Sequence, residues 1–346
     1  MKKTLAMILA AVMLLALAAC GTTADETSAP PSDDAAVSDA PAEESEAPSE
    51  PAEAQYLVGI CQQMTHDALD SATQGFKDAL TDILGEGAVE YSEGNAGGEQ
   101  PNCVTIIDGL VSENVDLILA NATWPLQAAY SATSEIPVLG TSVTDYATAL
   151  NIDDWTGTVG GNISGTSDLA PLDQQAAMIQ ELFPDAKNVG LLYCSGEPNS
   201  VYQIETIRGY LEEMGYTCEA YAFTDVNDLS SVTQTACDNS DVIYIPTDNT
   251  AAGNTETIAN VVLAAGVPVV AGESGICAGC GVATLSISYY DLGYTTGEMA
   301  AQILKGEADI STMPIEYAPN VTKMYNAANC EALGITVPDD YTAIEG

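Results

Sequence analysis

The stretch Asp241–Gly275 reads DVIYIPTDNTAAGNTETIANVVLAAGVPVVAGESG, and its pattern decides the fold class. It begins with a short β-branched apolar run, Val242–Ile245, of the kind that forms a buried strand. A polar turn and an amphipathic helical pattern follow, and Gly266 stands where a helix would end. A second apolar run, Val267–Val270, leads into the polar turn Gly272–Gly275. This order predicts a parallel βαβ unit of an α/β sheet.

Two acids of this stretch stand in its two polar turns. Asp248 follows the first predicted strand, with Asn249 beside it, and Glu273 follows the second strand. In a parallel βαβ unit both turns lie at the carboxyl ends of the strands, where open α/β sheets bind ligands. We therefore expect Asp248 and Glu273 to face one ligand.

A similar plan occurs earlier in the chain. The apolar run Asp116–Ala120 leads into the polar turn Asn121–Thr123, and a helix-like segment then precedes the strand Ile136–Leu139 and the turn Gly140–Asp145. The spacing of the two units differs, so the sequence repeat itself is weak. Two interpretations follow: two similar α/β lobes with ligand turns at matching edges, or two ordinary βα units of one large sheet.

Two further segments carry local predictions. The stretches Asn151–Trp155 and Gly160–Gly165 show no regular pattern and are interpreted as irregular. Ser200 and Gln203 have the spacing of a capping box, which predicts a helix that begins at Ser200.

The first twenty residues have the pattern of an export signal. Lys2 and Lys3 precede the apolar segment Leu5–Leu15, and Leu17–Cys20 resembles a bacterial lipobox. The apolar segment is too short to favour a retained membrane-spanning helix. We therefore expect residues 1–20 to be a lipoprotein signal peptide, Cys20 to be lipidated, and the product to be extracytoplasmic.

Residues 21–54 consist almost entirely of Ala, Ser, Pro, Thr, Asp and Glu. Such a segment cannot bury enough apolar surface to offset its loss of conformational entropy. We predict a disordered acidic linker between the lipid anchor and the folded region.

The charge balance excludes several classes of partner. The chain has 7 Lys and Arg against 50 Asp and Glu, a formal net charge of −43. Nucleic acid and anionic membrane surfaces are therefore poor partners, and contact with the membrane is expected only through the lipid anchor. Gly97-Gly98 lacks the spacing and the lysine of a nucleotide-binding loop, and no cofactor is predicted.

Cys277 and Cys280 form the only close cysteine pair after Cys20. A metal site would need further ligands, and the single histidine, His66, is far away in the sequence. A local disulfide or an unreactive thiol pair is favoured over redox catalysis.

Several segments, spread over nearly the whole folded region, resemble those of one family. That family is the substrate-binding lipoproteins of bacterial ABC importers, in particular the tryptophan/tyrosine type. The segments are His66–Asp70, Gln74–Phe76, Gly161–Leu169, Glu197–Ser200, Pro246–Thr250, Ala271–Glu273, Tyr289–Tyr294 and Gly297–Ala300. The chain departs from the family's usual pattern at Trp124-Pro125 and in the Cys277/Cys280 loop.

The resemblance implies an α/β type I periplasmic-binding-protein fold, with two Rossmann-like lobes joined by a multi-strand hinge. Residues 55–183 and 289–306 would form lobe 1, and residues 184–288 and 307–346 would form lobe 2. It also implies a monomer that closes on a small molecule and delivers it to an ABC permease.

The residues of the expected cleft suit a zwitterion. The sequence after the signal peptide has one arginine, Arg208, within a helix, and no lysine stands in a turn assigned to the cleft. A ligand carboxylate would then be held by uncharged donors at helix starts. A ligand ammonium needs an anionic partner, for which Asp248, Glu273 and Asp145 are the candidates. Each acid, and Ser200 likewise, has capping of a helix as its alternative role.

An aromatic ligand side chain would need aromatic neighbours. Trp124, Tyr146, Tyr202, Tyr289 and Tyr290 are candidates, although packing at a lobe surface is the stronger interpretation for Tyr202 and Tyr290. The complete predicted ligand-binding set is Gln63, Thr123, Trp124, Thr144, Asp145, Ser195, Asn199, Ser200, Asp248, Asn249, Glu273 and Tyr289.

Three functions remain open from the sequence. The first is a binding protein of an ABC importer that captures an aromatic or related amino acid. The second is a sensory receptor of the same fold, which would have the same cleft. The third is an exported enzyme that uses Asp248 with Glu273, or Cys277 as a nucleophile, and it ranks last because no base stands near Cys277.

Overall fold

The computed structural model describes residues 54–318 and 320–344. The predicted signal peptide with Cys20, and the predicted linker up to residue 53, lie outside these residues. No helix in the described part is long and apolar enough to cross a membrane.

The first of two sheets has six strands, all parallel, in the order β11-β5-β4-β3-β1-β2. This sheet and its helices form lobe 1. Its strands are β1 (Tyr56–Gln62), β2 (Val89–Asn95), β3 (Leu117–Asn121), β4 (Val138–Val143), β5 (Ile163–Ser167) and β11 (Glu316–Tyr317). Its helices are α1 (Asp67–Leu84), α2 (Gln100–Glu113), α3 (Thr123–Ala132), α4 (Tyr146–Leu150), α11 (Tyr289–Leu304) and a 3-10 turn at Ile310–Thr312.

The second sheet has seven strands in the order β13-β12-β10-β9-β8-β6-β7, with β12 antiparallel to β10. This sheet and its helices form lobe 2. Its strands are β6 (Asn188–Cys194), β7 (Thr217–Phe223), β8 (Val242–Ile245), β9 (Val269–Ala271), β10 (Ala283–Ser286), β12 (Thr322–Tyr325) and β13 (Thr342–Ala343). Its helices are α5 (Leu172–Leu182), α6 (Pro198–Glu213), α7 (Val226–Asn239), α8 (Asn249–Ala252), α9 (Thr255–Ala265), α10 (Ser274–Cys280) and α12 (Ala327–Leu333).

The central stretch forms the predicted βαβ unit. Strands β8 and β9 pair in parallel with Ile243 opposite Val269, and helix α9 connects them. Gly266 ends α9 in the left-handed conformation, with φ 72°. The similar unit earlier in the chain, around β3 and β4, lies in the other sheet. The interpretation as two lobes is therefore confirmed, and that of one large sheet is wrong.

The chain passes between the lobes after β5, after β10 and after β11. The lobe boundaries differ from the predicted ones in two places. Helix α5, predicted in lobe 1, packs Ala176 and Ile179 into the core of lobe 2. Strand β11, predicted in lobe 2, pairs Glu316 with Thr166 of lobe 1. Helix α5 buries its apolar face on the sheet of the strand that follows it, and β11 extends a sheet whose other strands are remote in sequence.

Helices cover both faces of each sheet. In lobe 1, Val58 and Ile60 of β1 face the core under α1 and α11, while Cys61 faces the core under α2 and α3. This alternation follows from the two-residue period of a strand. Both faces are apolar, as expected for a parallel sheet, and the polar residues gather at the carboxyl ends of the strands.

Candidate functional site

A small enclosed cavity lies between the lobes, where the carboxyl ends of strands from both sheets meet. Its free volume is about 10 Å³, which is room for about one water molecule. The residues that line it are His66, Ala68, Leu69, Ser142, Thr144, Asp168, Asn199, Thr247, Asp248, Asn249, Ala252, Glu273 and Tyr289. The lining includes no lysine or arginine, and Arg208 of α6 is not part of it.

The predicted ligand-binding set divides evenly at this cavity. Six members line it: Thr144, Asn199, Asp248, Asn249, Glu273 and Tyr289. The other six do not: Gln63, Thr123, Trp124, Asp145, Ser195 and Ser200. The structure adds four polar residues that the sequence analysis did not select: His66, Ser142, Asp168 and Thr247.

Several of the six residues outside the cavity have structural partners. Gln63 accepts a hydrogen bond from the Trp124 amide at 3.2 Å, and Trp124 lies in a separate groove between α2 and α3. Asp145 caps α4 by accepting from the Thr148 amide at 2.7 Å. Ser195 donates to the carbonyl of Phe223 at 3.1 Å.

The predicted start of α6 at Ser200 is wrong. The helix begins at Pro198, with Glu197 in the capping position and Ser200 already in the first turn. Proline suits the first helical position because its φ is preset and the missing N–H would have no partner there.

Asp248 is held as a helix cap. Its Oδ1 accepts from the Ala251 amide of α8 at 2.8 Å, and its Oδ2 accepts from the Cys194 amide of β6 at 2.6 Å. The residue is 1 % exposed. Burial, followed by the negative charge of Glu197, raises the pKa of Asp248 to about 7. Both oxygens are already engaged by the backbone of lobe 2.

Glu273 is engaged in the same way at the start of α10. Its two oxygens accept from the amides of Gly275 and Ile276. The side chain is 2 % exposed, and burial raises its pKa to about 7. Asp248 and Glu273 therefore line one cavity, and each carboxylate is also a helix cap.

A third buried carboxylate, Glu197, holds the turn before α8. Its oxygens accept from the amide and side chain of Asn249 at 3.0 and 2.7 Å. They also accept from the amide and hydroxyl of Thr250 at 2.8 and 2.7 Å. These bonds tie the start of α6 to the start of α8 and fix Asn249 at the cavity wall.

Asp168 differs from the other acids of the site. It follows β5 and is 3 % exposed. Its Oδ2 accepts from the Tyr289 hydroxyl at 2.9 Å, whereas its Oδ1 has no hydrogen-bond partner among the described residues. Burial raises the pKa of Asp168. A buried carboxylate oxygen without a partner is costly, so a ligand donor at this position would be strongly stabilised.

Two more polar atoms of the lining lack partners within the described residues: Oγ of Ser142 and Oδ1 of Asn199. Both residues are buried. Ser142 has φ 54°, in the left-handed region, where the pairing of β4 with β5 shifts register. Strained conformations of this kind are concentrated at binding sites, because the surrounding structure must hold them.

One hydrogen bond joins the lobes at the cavity. Nε2 of His66, at the start of α1, lies 3.2 Å from Oδ1 of Asn249. Burial lowers the pKa of His66, which favours the neutral imidazole.

Of the five aromatic residues named as candidate neighbours of a ligand side chain, Tyr289 alone lines the cavity. Tyr146 is buried in the lobe 1 core and donates to the carbonyl of Thr166 at 3.0 Å. Tyr290 lies on the outer surface and donates to Asp78 at 2.9 Å. Tyr202 lies half-buried on α6, outside the lining. Trp124 is in the groove between α2 and α3.

No cysteine of the described residues lines the cavity. Cys277 and Cys280 are both free thiols, buried on α10. Burial raises the pKa of Cys277, which disfavours the thiolate that a nucleophile or a metal ligand requires. In the described part of the chain, no group of three or more His, Cys, Asp or Glu side chains is arranged to hold a metal ion.

Comparisons with known proteins agree on one family. Residues 57–344 match the sequence model of the family described as ABC transporter substrate binding protein. The chain is 30% identical over 281 residues to a tyrosine-binding protein of Clostridioides difficile, a match that covers 81% of each chain.

Solved structures show the same likeness. A Streptococcus pneumoniae ABC domain in complex with L-Trp matches with a TM-score of 0.80 at 30% identity, over 85% of this chain and all of that one. The ligand-free, open structure of a Clostridium difficile substrate binding protein matches with a TM-score of 0.65 at 31% identity, over 84% of this chain and 99% of that one. At nearly equal identity, the present structure is thus more similar in shape to the complex than to the open form.

Proposed function

The chain belongs to the family of ABC transporter substrate binding proteins, and from this premise we propose that it captures an α-amino acid outside the cytoplasm for an ABC importer. Its partners would be that amino acid and the permease. A lipid on Cys20 would hold it at the membrane as a monomer, without cofactor or catalysis.

The observation that carries the amino-acid assignment is the free Oδ1 of Asp168. This oxygen belongs to a buried carboxylate that has no cationic partner within the described residues, because their ion pairs involve other acids. A ligand ammonium would supply both the missing donor and the missing positive charge. We therefore assign the ammonium to Asp168, in preference to Asp248 and Glu273, whose oxygens already accept backbone bonds.

The remaining free atoms suit the rest of an α-amino acid. Oγ of Ser142, which has no partner within the described residues, can donate to a ligand carboxylate, and the Thr144 hydroxyl lines the same cavity. Oδ1 of Asn199 can accept a second ammonium hydrogen. Uncharged donors for the carboxylate agree with a lining that has no lysine or arginine.

The side chain of the ligand is inferred from the ligands of the relatives. The relatives bind tyrosine and L-Trp, as their names state, and we propose an aromatic or related amino acid here. A free volume of about 10 Å³ is far too small for such a ligand. The ligand must therefore enter when the lobes are apart, and hinge closure then buries it.

The test is isothermal titration of wild type and Asp168→Asn with L-Tyr, L-Trp and their desamino analogues. Loss of a desolvated charge pair costs about 2–5 kcal/mol, so the amino acids should bind the variant at least about 30-fold more weakly. The analogues should bind wild type poorly and lose little further affinity in the variant.

Asp78→Asn is the matched control, because Asp78 also accepts from a tyrosine hydroxyl but lies outside the cavity. It should bind like wild type. Amino-acid affinity that is equal in wild type and Asp168→Asn would contradict the assignment. A wild type that binds none of the twenty amino acids in a thermal-shift screen would contradict the function itself.

A further inference from the structure

We propose that Tyr289 is a positioning residue that orients the Asp168 carboxylate so that its Oδ1 faces the ligand amine. The identity of the ligand rests on the proposed function, but the orientation of the carboxylate does not.

The contact itself is short and protected from solvent. The Tyr289 hydroxyl donates to Oδ2 of Asp168 at 2.9 Å, and the two residues are 5 % and 3 % exposed. A hydrogen bond to an ionised carboxylate is stronger than one between neutral groups, and both distance and burial favour it here. With Oδ2 occupied, Oδ1 is the oxygen left for a ligand.

Tyr289 is fixed by the helix on which it stands. It is the first residue of α11, which Ser288 caps by accepting from the Asp291 amide. Helix α11 packs against α1 and against β4 and β5, and Asp168 follows β5 directly. Tyr289 and Asp168 are thus held by the same lobe, and we expect their hydrogen bond to persist when the lobes separate.

The Tyr289 hydroxyl also affects the ionisation of Asp168. Burial raises the pKa of this carboxyl, and the side chains of Thr144 and Tyr289 oppose that rise. The other titratable groups near it are acids or phenols, namely Tyr146, Glu273 and Asp248, and His66, whose pKa burial lowers, also lines the cavity. Since these neighbours include no cation, hydroxyl donors such as Tyr289 are what favour the ionised form of Asp168.

The experiment compares Tyr289→Phe with Tyr290→Phe. Both substitutions remove one phenolic hydroxyl that donates to an aspartate at 2.9 Å, but the Tyr290 partner, Asp78, is on the outer surface of lobe 1. In ligand-free protein, the Asp168 carboxyl is titrated by ¹³C NMR, with Asp168→Asn used to assign its signal. We expect Tyr289→Phe to raise the pKa of Asp168 and Tyr290→Phe to leave it unchanged.

Titration with L-Tyr then gives the functional consequence. Tyr289→Phe should weaken binding by about 10-fold, the effect of about 1.4 kcal/mol. It should cause no further loss in an Asp168→Asn background, and the desamino analogue should be unaffected.

An unchanged pKa of Asp168 in Tyr289→Phe would overturn the proposal, and so would an equal loss for L-Tyr and its desamino analogue, which would indicate a packing role. The NMR titration needs no ligand. If wild type bound no amino acid, the proposed function would fail while the role of Tyr289 remained measurable.

Discussion

Nε2 of His66 and Oδ1 of Asn249 lie 3.2 Å apart and form a hydrogen bond between lobe 1 and lobe 2. The Asn249 amide nitrogen donates to Glu197 at 2.7 Å, so its oxygen faces His66 as an acceptor. His66 must therefore carry its hydrogen on Nε2. Because the two residues belong to different lobes, we expect this pair to form only when the lobes are together and to stabilise the closed state.

His66→Ala should accelerate ligand release. A neutral hydrogen bond contributes about 0.5–1.5 kcal/mol, so dissociation of the amino acid in stopped-flow experiments should be about 2- to 10-fold faster. Thr65→Ala is the control, because its hydroxyl accepts from Asn95 within lobe 1. Equal release rates in wild type and His66→Ala would show that the bond does not contribute to closure.

Asp248→Asn should lower stability through the lost cap. Both carboxylate oxygens accept from backbone amides, and the amide of asparagine would direct a donor at one of them. The free energy of unfolding in urea should fall by about 1–3 kcal/mol. Asp225→Asn, at the exposed cap of α7, should lower the free energy of unfolding by a smaller amount. A variant as stable as wild type but unable to bind ligand would restore Asp248 as the ammonium partner.

The stability of the ligand-free protein should fall as the pH rises from about 4 to about 7. The pKa values of Asp248 and Glu273 are raised to about 7 by burial, so between these limits the folded state binds more protons than the unfolded state. The free energy of unfolding then decreases with pH, by at most about 1.4 kcal/mol per pH unit for each proton.

Urea unfolding at a series of pH values measures the predicted decrease in stability. Glu273→Gln should make the slope of stability against pH shallower, because one of the carboxyl groups with a raised pKa is removed. A stability that rises with pH between 4 and 7 would mean that the capping bonds to these carboxylates outweigh their burial.

Gly293→Ala should disrupt the packing of α11 on α1. A Cβ at Gly293 would collide with the carbonyl of Ala72 in α1. Because backbone cannot move aside cheaply, we expect a loss of about 1–3 kcal/mol and a lower Tm. Gly109→Ala is the matched control, since a Cβ on this exposed helical glycine meets nothing within 4 Å. It should stabilise α2 by about 0.5–1 kcal/mol. If both variants had the same Tm, the close approach of α1 and α11 would be unimportant.

The sequence by itself determined the α/β class, the βαβ unit of the central stretch and the sheet edge at which the cavity lies. It did so because apolar runs of strand length and an amphipathic helix with its terminal glycine are local patterns. Asp248 and Glu273 could be placed at one cavity for the same reason, since the carboxyl ends of parallel strands always share an edge.

Strand β5 could not be predicted from a local apolar pattern. Its residues Ile163–Ser167 are mostly small and polar, and Gly165 has φ 142°. A Cβ at Gly165 would collide with the carbonyl of Gly140 on β4. The strand is thus defined by its neighbours in the sheet. Asp168, which follows it, could not be recognised as a residue at a strand end.

Only the tertiary structure decided how many oxygens of each carboxylate are already engaged in hydrogen bonds. Asp248 and Glu273 are engaged by amides of the short helices α8 and α10, whereas Asp168 keeps one oxygen without a partner among the described residues. Hydrogen bonding depends on atoms brought together from distant segments, such as Tyr289 and Asp168, 121 residues apart. Residue type and spacing place an acid at a site, but the number of its oxygens left for a ligand is a property of the folded chain.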